Sequence, residues 1–580
     1  MAQPAQTPAL PDNHDALDEA VATLHSARDD WARLGTPERI ALLEEIKDCL
    51  MPVAEGWAET AARHKLIPAG SPLVGEEWIS GPYALMSACN GLIETLSNLD
   101  GKTFLTSLQK RTTATGQLAV KVLPHTIWER LLLSGIKAEV WMEPGVSAAT
   151  LPSHTATAYD TPPAQRRGKL ALVLGAGNIN AISPLDVFQK LFSEHQVVVL
   201  KMNPVNDYLT EYLEAALRPL IARNALRIVT GGADVGAYLC HHPQVEEIHI
   251  TGAAASHDVI VWGPGAEGAA NKAAGTPKLT KPITSELGAV CPTIVVPGPW
   301  SAADLRFQAE HLATQKLHNS GFNCIACQML ILPQAWEGKD KLLANLNDVM
   351  ASHAQRQPWY PGARDRMAEF ARRGDNVTTL DRGAAPACAV VPVDDTSDDW
   401  FRENEIFAPV LSTHEIAETD PESYLRAAIR YANDELHGTL GGNILIHPAT
   451  MKQIGRKRFE EIIAEFHYGT VAINAWTGLG FLLTACPWGA YPGHTLADVG
   501  SGIGFAHNTF MFDKAQRVVV QAPWQPFPRN ILSGGRSLLP RPPWFITNRR
   551  QDRIGKLLTR FQYKPGWLKL PRIFLNALLG

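Results

Sequence analysis

Between Asp15 and about Asn98, apolar residues recur three and four positions apart, as in ALDEAVATLHSARDDWARL and ERIALLEEIKDCLMPVAEGWAETAARH. This spacing predicts a run of amphipathic helices. Thr36, Pro37 and Glu38 predict a helix start, with threonine as N-cap, proline at the first helical position and an early acid. The pattern changes at 137–149 (KAEVWMEPGVSAA), which reads as strand, and a Pro- and Thr-rich connector follows to Arg167. Beyond it, short apolar runs alternate with amphipathic helices: GKLALVLGAG, SPLDVFQKLFSEH, QVVVLKMNP, DYLTEYLEAALRPLIARN and LRIVTGG. Such alternation predicts a parallel, doubly wound sheet with right-handed crossovers. A further strand is expected at 245–252, and a second α/β region from Lys281 to about Gly500.

The chain has 580 residues, long enough for several structural units. Hydrophobic residues make up 45% and charged residues 19%, as in an ordinary globular protein, and no apolar run is long enough to span a bilayer. A net charge of -5 gives no sign of a nucleic-acid partner. Eight scattered cysteines and the lack of a signal-peptide pattern predict a reducing, cytoplasmic setting, with residues 1–14 as a flexible tail. The charge is unevenly spread. Residues 536–580 hold ten Lys or Arg against the single acid Asp552, interleaved with Trp, Phe, Leu and Pro. Two readings follow: an interfacial segment touching a membrane peripherally, or an arm lying across a neighbouring subunit.

Three segments carry candidate chemistry. Cys324 follows a glycine turn in His318-Asn319-Ser320-Gly321-Phe322-Asn323-Cys324, where a sulfur can face a pocket, although a lone cysteine is more often a buried small hydrophobe. It also forms a C-x-x-C with Cys327, but no second pair lies nearby, and no metal site is predicted. Glu286 sits between a strand-like run and a Leu-Gly turn, as a general base or simply as a solvated acid. Gly175-Ala176-Gly177-Asn178 is a glycine turn after a buried strand, without the G-x-G-x-x-G spacing.

In order the chain reads LGAGN, VVVLKMNP, VTGG, HPQVEEIHITG, KPITSELGAVCPTIVV, NSGFNCIACQMLI, NEIFAPVL and PWGAYPGHTLADVGSGIG. This succession resembles the aldehyde dehydrogenase superfamily over roughly residues 165–510. The resemblance implies an α/β fold: a Rossmann-like parallel-sheet cofactor domain (15–136 and 165–286) and a second α/β catalytic domain (287–509). Bridging or oligomerisation strands are implied at 137–164 and 510–534, with a basic amphipathic extension at 535–580. It implies NAD or NADP as cofactor, a small-molecule aldehyde as substrate and assembly as a homodimer or homotetramer. By motif, Cys324 is the implied nucleophile, Glu286 the general base and Asn178 the oxyanion donor. Lys201, Gly231, Gly232, Gly252, Glu405 and Phe407 are implied to bind cofactor. A base at Glu286 implies hydrolysis of the thioester to a carboxylic acid. The alternatives are transfer of the acyl group to coenzyme A and a non-catalytic, membrane-associated scaffold.

The sequence departs from the family pattern at four places. Pro204 stands where a glutamate often binds the adenosine ribose, which removes a barrier to a 2′-phosphate. Phe322 replaces a glutamine two residues before the nucleophile, Ala408 replaces the glycine after Phe407, and Gly177 replaces an aromatic residue before Asn178. Trp476 and GLGFLL (478–483) are expected near the substrate entrance, where apolar residues suit an aliphatic or aromatic aldehyde or simply form core.

Overall fold

A computed structural model describes residues 14–533 and 535–580. The tail expected at 1–14 therefore lies, apart from His14, outside the described residues. The first strands are β1 Gln109–Thr112, β2 Leu118–Leu123 and β3 Lys137–Met142. Next come β4 Leu170–Leu174, β5 Val197–Lys201, β6 Leu226–Val229, β7 Glu247–Gly252 and β8 Ile283–Leu287. They are followed by β9 Cys291–Val295, β10 Cys327–Pro333, β11 Thr378–Arg382, β12 Ala385–Pro392 and β13 Leu411–Ile416. The last are β14 Gly441–Leu445, β15 Thr470–Ile473, β16 Gly502–Ile503 and β17 Ala515–Gln521.

A six-stranded sheet has the order β16-β8-β7-β4-β5-β6, parallel except for β16. The chain steps outward from β4 to β6 and then returns to place β7 on the other side of β4. Strand order thus reverses between β4 and β7, and at such a reversal a crevice opens beyond the strands' C-terminal ends. The apolar runs that predicted these strands are buried on both faces. Leu172, Val173, Val198, Val199 and Leu200 are fully buried, each stabilising the fold by roughly 1.5–3 kcal/mol.

The second sheet has eleven strands in the order β1-β2-β3-β17-β15-β14-β9-β10-β13-β12-β11. The seven from β17 to β12 run parallel. Strand β17 joins the small β1–β3 meander to this sheet: Val518 pairs with Val140 on one side and Thr470 on the other.

The N-terminal pattern folds as α1 Asp15–Arg33, α2 Thr36–His64, α3 Val74–Trp78 and α4 Ala84–Ser97, with a π turn at Ile79–Tyr83. Helix α2 begins one residue before the expected start. Gly35, extended at φ -70 and ψ 161, is its N-cap, and Thr36 is already helical. Glu38 folds back over Gly35 and fills the space a side chain there would need, so the glycine does the capping. Later helices that shape the site are α5 Ala233–His241, α6 Ala254–Trp262 and α7 Ala302–Leu317. The basic stretch folds back on the chain, ending in α8 Gln551–Tyr563 and α9 Leu570–Leu578. Its Trp544, Phe545 and Ile546 are buried, whereas Trp567, Leu568, Leu575, Leu578 and Leu579 are exposed, Leu568 at 97%.

Candidate active site

From the crevice between β4 and β7 a cleft of about 970 Å³ runs toward the second sheet. Its walls are the glycine turn Gly175–Asn178 after β4, Lys201 at the end of β5, Gly232 and Gly236 at the start of α5, and Gly252 with the first turn of α6. Glu286, Cys324, Glu405 and Phe407 line its inner end. The fold thus gathers into one cavity residues that lie between Leu174 and Phe407 in the sequence. Gly231 stands just outside the lining, with φ 138 in the turn that enters α5.

Cys324 is carried by the loop between α7 and β10. Asn319, Ser320 and Gly321 have φ of 53, 57 and 83, three consecutive left-handed residues that reverse the chain after α7. For non-glycine residues this conformation costs about 1–3 kcal/mol each and persists only when neighbours hold it. The hold is visible. The Asn319 side-chain amide donates to the Asn178 carbonyl at 3.1 Å and the Phe322 carbonyl at 2.9 Å. The Asn323 amide donates to the His318 carbonyl at 2.8 Å. Asn178 itself donates one amide hydrogen to the Phe322 carbonyl at 3.0 Å, which ties the glycine turn of the first sheet to the loop of the second.

The Cys324 thiol donates to Glu286 Oε1 at 3.2 Å, and the same oxygen accepts from Trp488 Nε1 at 3.0 Å. Burial raises the Glu286 carboxyl to about 7, against the lowering effect of those two hydrogen bonds. Burial first, and then the neighbouring Glu286, push the Cys324 thiol well above its ordinary range. At neutral pH the pair therefore holds a protonated thiol beside a carboxyl poised to take its proton. That is the protonation state a general base must have.

Glu405 and Phe407 reach the cleft from the segment before β13. Gln328, just inside β10, clips this segment by accepting from the Ile406 N–H at 2.8 Å and donating to the Asn404 carbonyl at 2.6 Å. Glu405 lies so close over Gly288 that any side chain at 288 would overlap its carboxylate. Burial raises Glu405 to about 8, with Glu286 adding to the rise and Lys316 opposing it. Phe322, in the place of the family's glutamine, is fully buried against Phe407, Tyr360 and Trp359 at centroid distances of 5.3–5.7 Å. At Gly177 a Cβ would meet Asn203 Oδ1 at 2.8 Å, so the aromatic residue usual there has no room.

On the far side of Cys324 lies a second, much smaller pocket of about 40 Å³. Ile79, Ile179, Ile182, Trp476, Phe481 and Leu482 give it apolar walls, and Trp488 closes it toward Glu286. Trp476 and the GLGFLL run thus border the nucleophile. Trp488 and Gln328 escaped the sequence reading. The only available signal was their place in the motifs PWGAYPG and CIACQ, which gives no hint of a partner 202 residues away.

The cleft suits a dinucleotide. The N-caps of α5 and α6, Gly232 and Ala253, make no side-chain cap bond, so two helix N-termini present free backbone N–H groups to an anionic group in the cleft. Lys201, at the end of β5, lines the same cleft. Glu405 Oε1 is buried with no hydrogen-bond partner among the described residues, an acceptor waiting for a hydroxyl donor. Pro204, also in the lining, offers no carboxylate against a 2′-phosphate.

The model of the Aldehyde dehydrogenase family matches residues 197–489. A chloroplastic aminoaldehyde dehydrogenase of Arabidopsis thaliana, ALDH10A8, is 25% identical over 283 residues, which cover 46% of this chain and 50% of that protein. The chain thus spans about half the length of the curated relatives it matches. Among solved structures, a Mycobacterium tuberculosis aldehyde dehydrogenase complexed with NAD+ superposes with a TM-score of 0.57 at 18% identity, covering 87% of this chain and 90% of the other. Aldehyde dehydrogenase C of Pseudomonas syringae, complexed as a mutant with NAD+ and octanal, gives 0.58 at 16% identity, covering 88% and 89%.

Proposed function

The chain belongs to the aldehyde dehydrogenase family, and from that premise we propose that it oxidises an apolar aldehyde to the carboxylic acid through a covalent bond to Cys324, with NAD or NADP as cofactor. The observation that carries this reading is the 3.2 Å contact between Cys324 Sγ and Glu286 Oε1, set where the wide cleft meets the apolar pocket. Glu286 takes the thiol proton as the sulfur adds to the carbonyl carbon, and the carbonyl electron pair moves onto oxygen. The oxyanion faces the remaining Asn178 amide hydrogen and the Cys324 backbone N–H, donors worth about 2.7–4 kcal/mol each in comparable sites. A nicotinamide held beside Phe407 would supply the hydride acceptor, and loss of hydride from the adduct carbon leaves a thioester on Cys324. Once the thiol proton has passed from Glu286 to solvent, Glu286 removes a proton from water as the water adds to the thioester carbon. The carbon–sulfur bond then breaks, and the departing sulfur takes the proton back from Glu286 to restore the thiol. Helix N-termini at Gly232 and Ala253 would hold the diphosphate, Lys201 the adenosine ribose, and Glu405 the nicotinamide ribose beside Phe407.

The test is NADH or NADPH formation at 340 nm by the purified chain, with a chain-length series of aldehydes and both cofactors, alongside Cys324→Ser. Turnover without coenzyme A that vanishes in the variant is the expected result. Turnover only with coenzyme A would replace hydrolysis by acyl transfer, and silence under every condition would favour a scaffold.

The proposal extends to setting and partners. All eight cysteines are free thiols, which supports a cytoplasmic location. No helix among the described residues is long and apolar enough to cross a membrane. Exposed Trp567, Leu568 and Leu575 beside Lys564, Lys569 and Arg572 support peripheral contact with an anionic lipid surface. Co-sedimentation with phosphatidylserine vesicles checks this, and binding equal to that of a Leu568→Asp, Leu575→Asp variant would remove it. Assembly as a homodimer or homotetramer would use surfaces other than the edges of β3 and β17, since both neighbours of each strand are filled within the chain. Light scattering reports the mass.

A further inference from the structure

The loop that carries Cys324 is gripped from two directions by groups outside the cleft. On one side, Glu76 Oε2 in α3 accepts the Asn319 backbone N–H at 3.0 Å and pairs with Arg356 Nη2 at 3.0 Å. Arg356 Nε in turn donates to Ser320 Oγ at 3.2 Å. Glu76 and Arg356 are buried together, so each is the charge that makes the other tolerable there. The next residue, Glu77, pairs with buried Lys65 at 2.9 Å and accepts from Asn180 at 2.7 Å, two residues beyond Asn178. One short helix therefore steadies Asn319 directly, Ser320 through Arg356, and Asn180 just beyond the glycine turn.

That short helix is itself clamped by α8. Gly75 abuts Gln551 so closely that a Cβ would overlap its backbone carbonyl, and a Cβ at Gly555 would stand 2.7 Å from the Trp78 Cβ. Lys556 pairs with Glu55 and lies over the Trp78 ring at 5.8 Å. The Asn90 amide donates to Gln562 at 2.9 Å, and Tyr563 donates to Asp48 at 2.6 Å. From the other direction, the segment before α8 holds α7, the helix that leads into the loop. Thr547 donates to Glu310 at 2.8 Å, Arg541 pairs with Glu310 at 3.3 Å, and the Ile546 N–H donates to Thr314 at 3.2 Å. Phe545 stacks on Phe307 and His311 at 5.4 and 5.2 Å.

We propose that residues 541–563 brace the nucleophile loop, with Glu76 and Arg356 as positioning residues that carry the grip of α8 on α3 through to Asn319 and Ser320. The basic stretch is then part of what aims Cys324 at Glu286. The proposal rests on Cys324 being the reactive thiol, and the experiment separates the two. Two variants of the full chain are compared with the parent: Gly555→Leu, which wedges α8 off α3, and the double variant Glu76→Gln, Arg356→Met, which removes the ion pair without stranding either charge. The readout is the rate of Cys324 alkylation by iodoacetamide from pH 6 to 9.5, resolved by peptide mass spectrometry, with no aldehyde or cofactor present.

In the parent, alkylation should show an inflection near 7, where Glu286 becomes able to take the thiol proton. In both variants that inflection should vanish and alkylation should follow the thiol alone, about tenfold slower at pH 7.5. Profiles that superimpose on the parent's, with melting curves showing folded protein, overturn the brace. Should Gly555→Leu fail to fold, Thr547→Val with Arg541→Met, which releases the segment's grip on Glu310 of α7, decides by the same readout. Alkylation of the parent that spares Cys324 overturns the active-site reading and the brace with it.

Discussion

The two spaces that meet at Cys324 are built by different rules. The cleft, about 970 Å³, is made of strand ends, glycine turns and helix N-termini from a single parallel sheet. The pocket, about 40 Å³, is made of side chains from the π turn, the segment 179–182 and the segment 476–488, which converge only in the folded chain. Backbone builds the first and side-chain packing the second. A backbone-lined cleft accepts one kind of ligand, extended and anionic, whatever the side chains around it. A pocket lined by packing changes its preference with every methylene.

The sharpest way to break the comparison is to remove the group that serves both sides. Glu286→Gln should lower turnover by roughly 10²–10⁴-fold in initial-rate assays, since it touches the nucleophile and activates water. The pH profile checks the same group. Its carboxyl is raised to about 7, so the basic form is lost as pH falls through that value. The parent rate should drop about fivefold between pH 7 and 6, and the residual rate of Glu286→Gln should not. A parent profile flat over that interval would assign the proton transfer elsewhere.

On the cleft side alone, Lys201→Ala should raise the cofactor KM about ten- to a hundredfold, the cost of losing hydrogen bonds from a charged donor. The aldehyde KM should barely move, and a shift in both would deny that the two spaces act separately. The smallest effect is expected in the pocket. Phe481→Ala should move the chain-length optimum upward, by about fourfold in kcat/KM per methylene accommodated, with cofactor KM unchanged. An unchanged chain-length series would place the aldehyde's tail somewhere other than beside Phe481.

This difference also governs what the sequence reveals. The cleft is legible because each wall is a contiguous motif: a strand, a glycine turn and a helix start. Asn178, Lys201 and Cys324 became readable through the succession of these motifs and its resemblance to the family, each being ambiguous alone. Glu286 was legible as an acid before a Leu-Gly turn, but the Trp488 N–H that shares its oxygen was not, because no local spacing encodes a contact across 202 residues. The α/β alternation reveals strands without their neighbours. Strand-like character at 137–149 was clear, whereas its place in an eleven-stranded sheet through β17 depends on pairings that propensity does not carry. Composition marked 536–580 as basic, yet charge counts cannot show that Trp544, Phe545 and Ile546 turn inward onto α7. The helix start shows the same limit at the smallest scale: Gly35, lying under the Glu38 carboxylate, takes the N-cap place expected of Thr36.

Strand β17 has a consequence for how the molecule is made. It zips residues 137–142 to the sheet that ends at 470–473, and it comes from residues 515–521. During synthesis the β3 and β15 flanks stand bare until that late segment emerges, and bare strand edges invite pairing with other chains. Closure across so long a separation is also slow. The yield of folded protein thereby becomes a question of timing: a chain stalled before residue 515 offers two adhesive seams that the finished molecule has sewn shut.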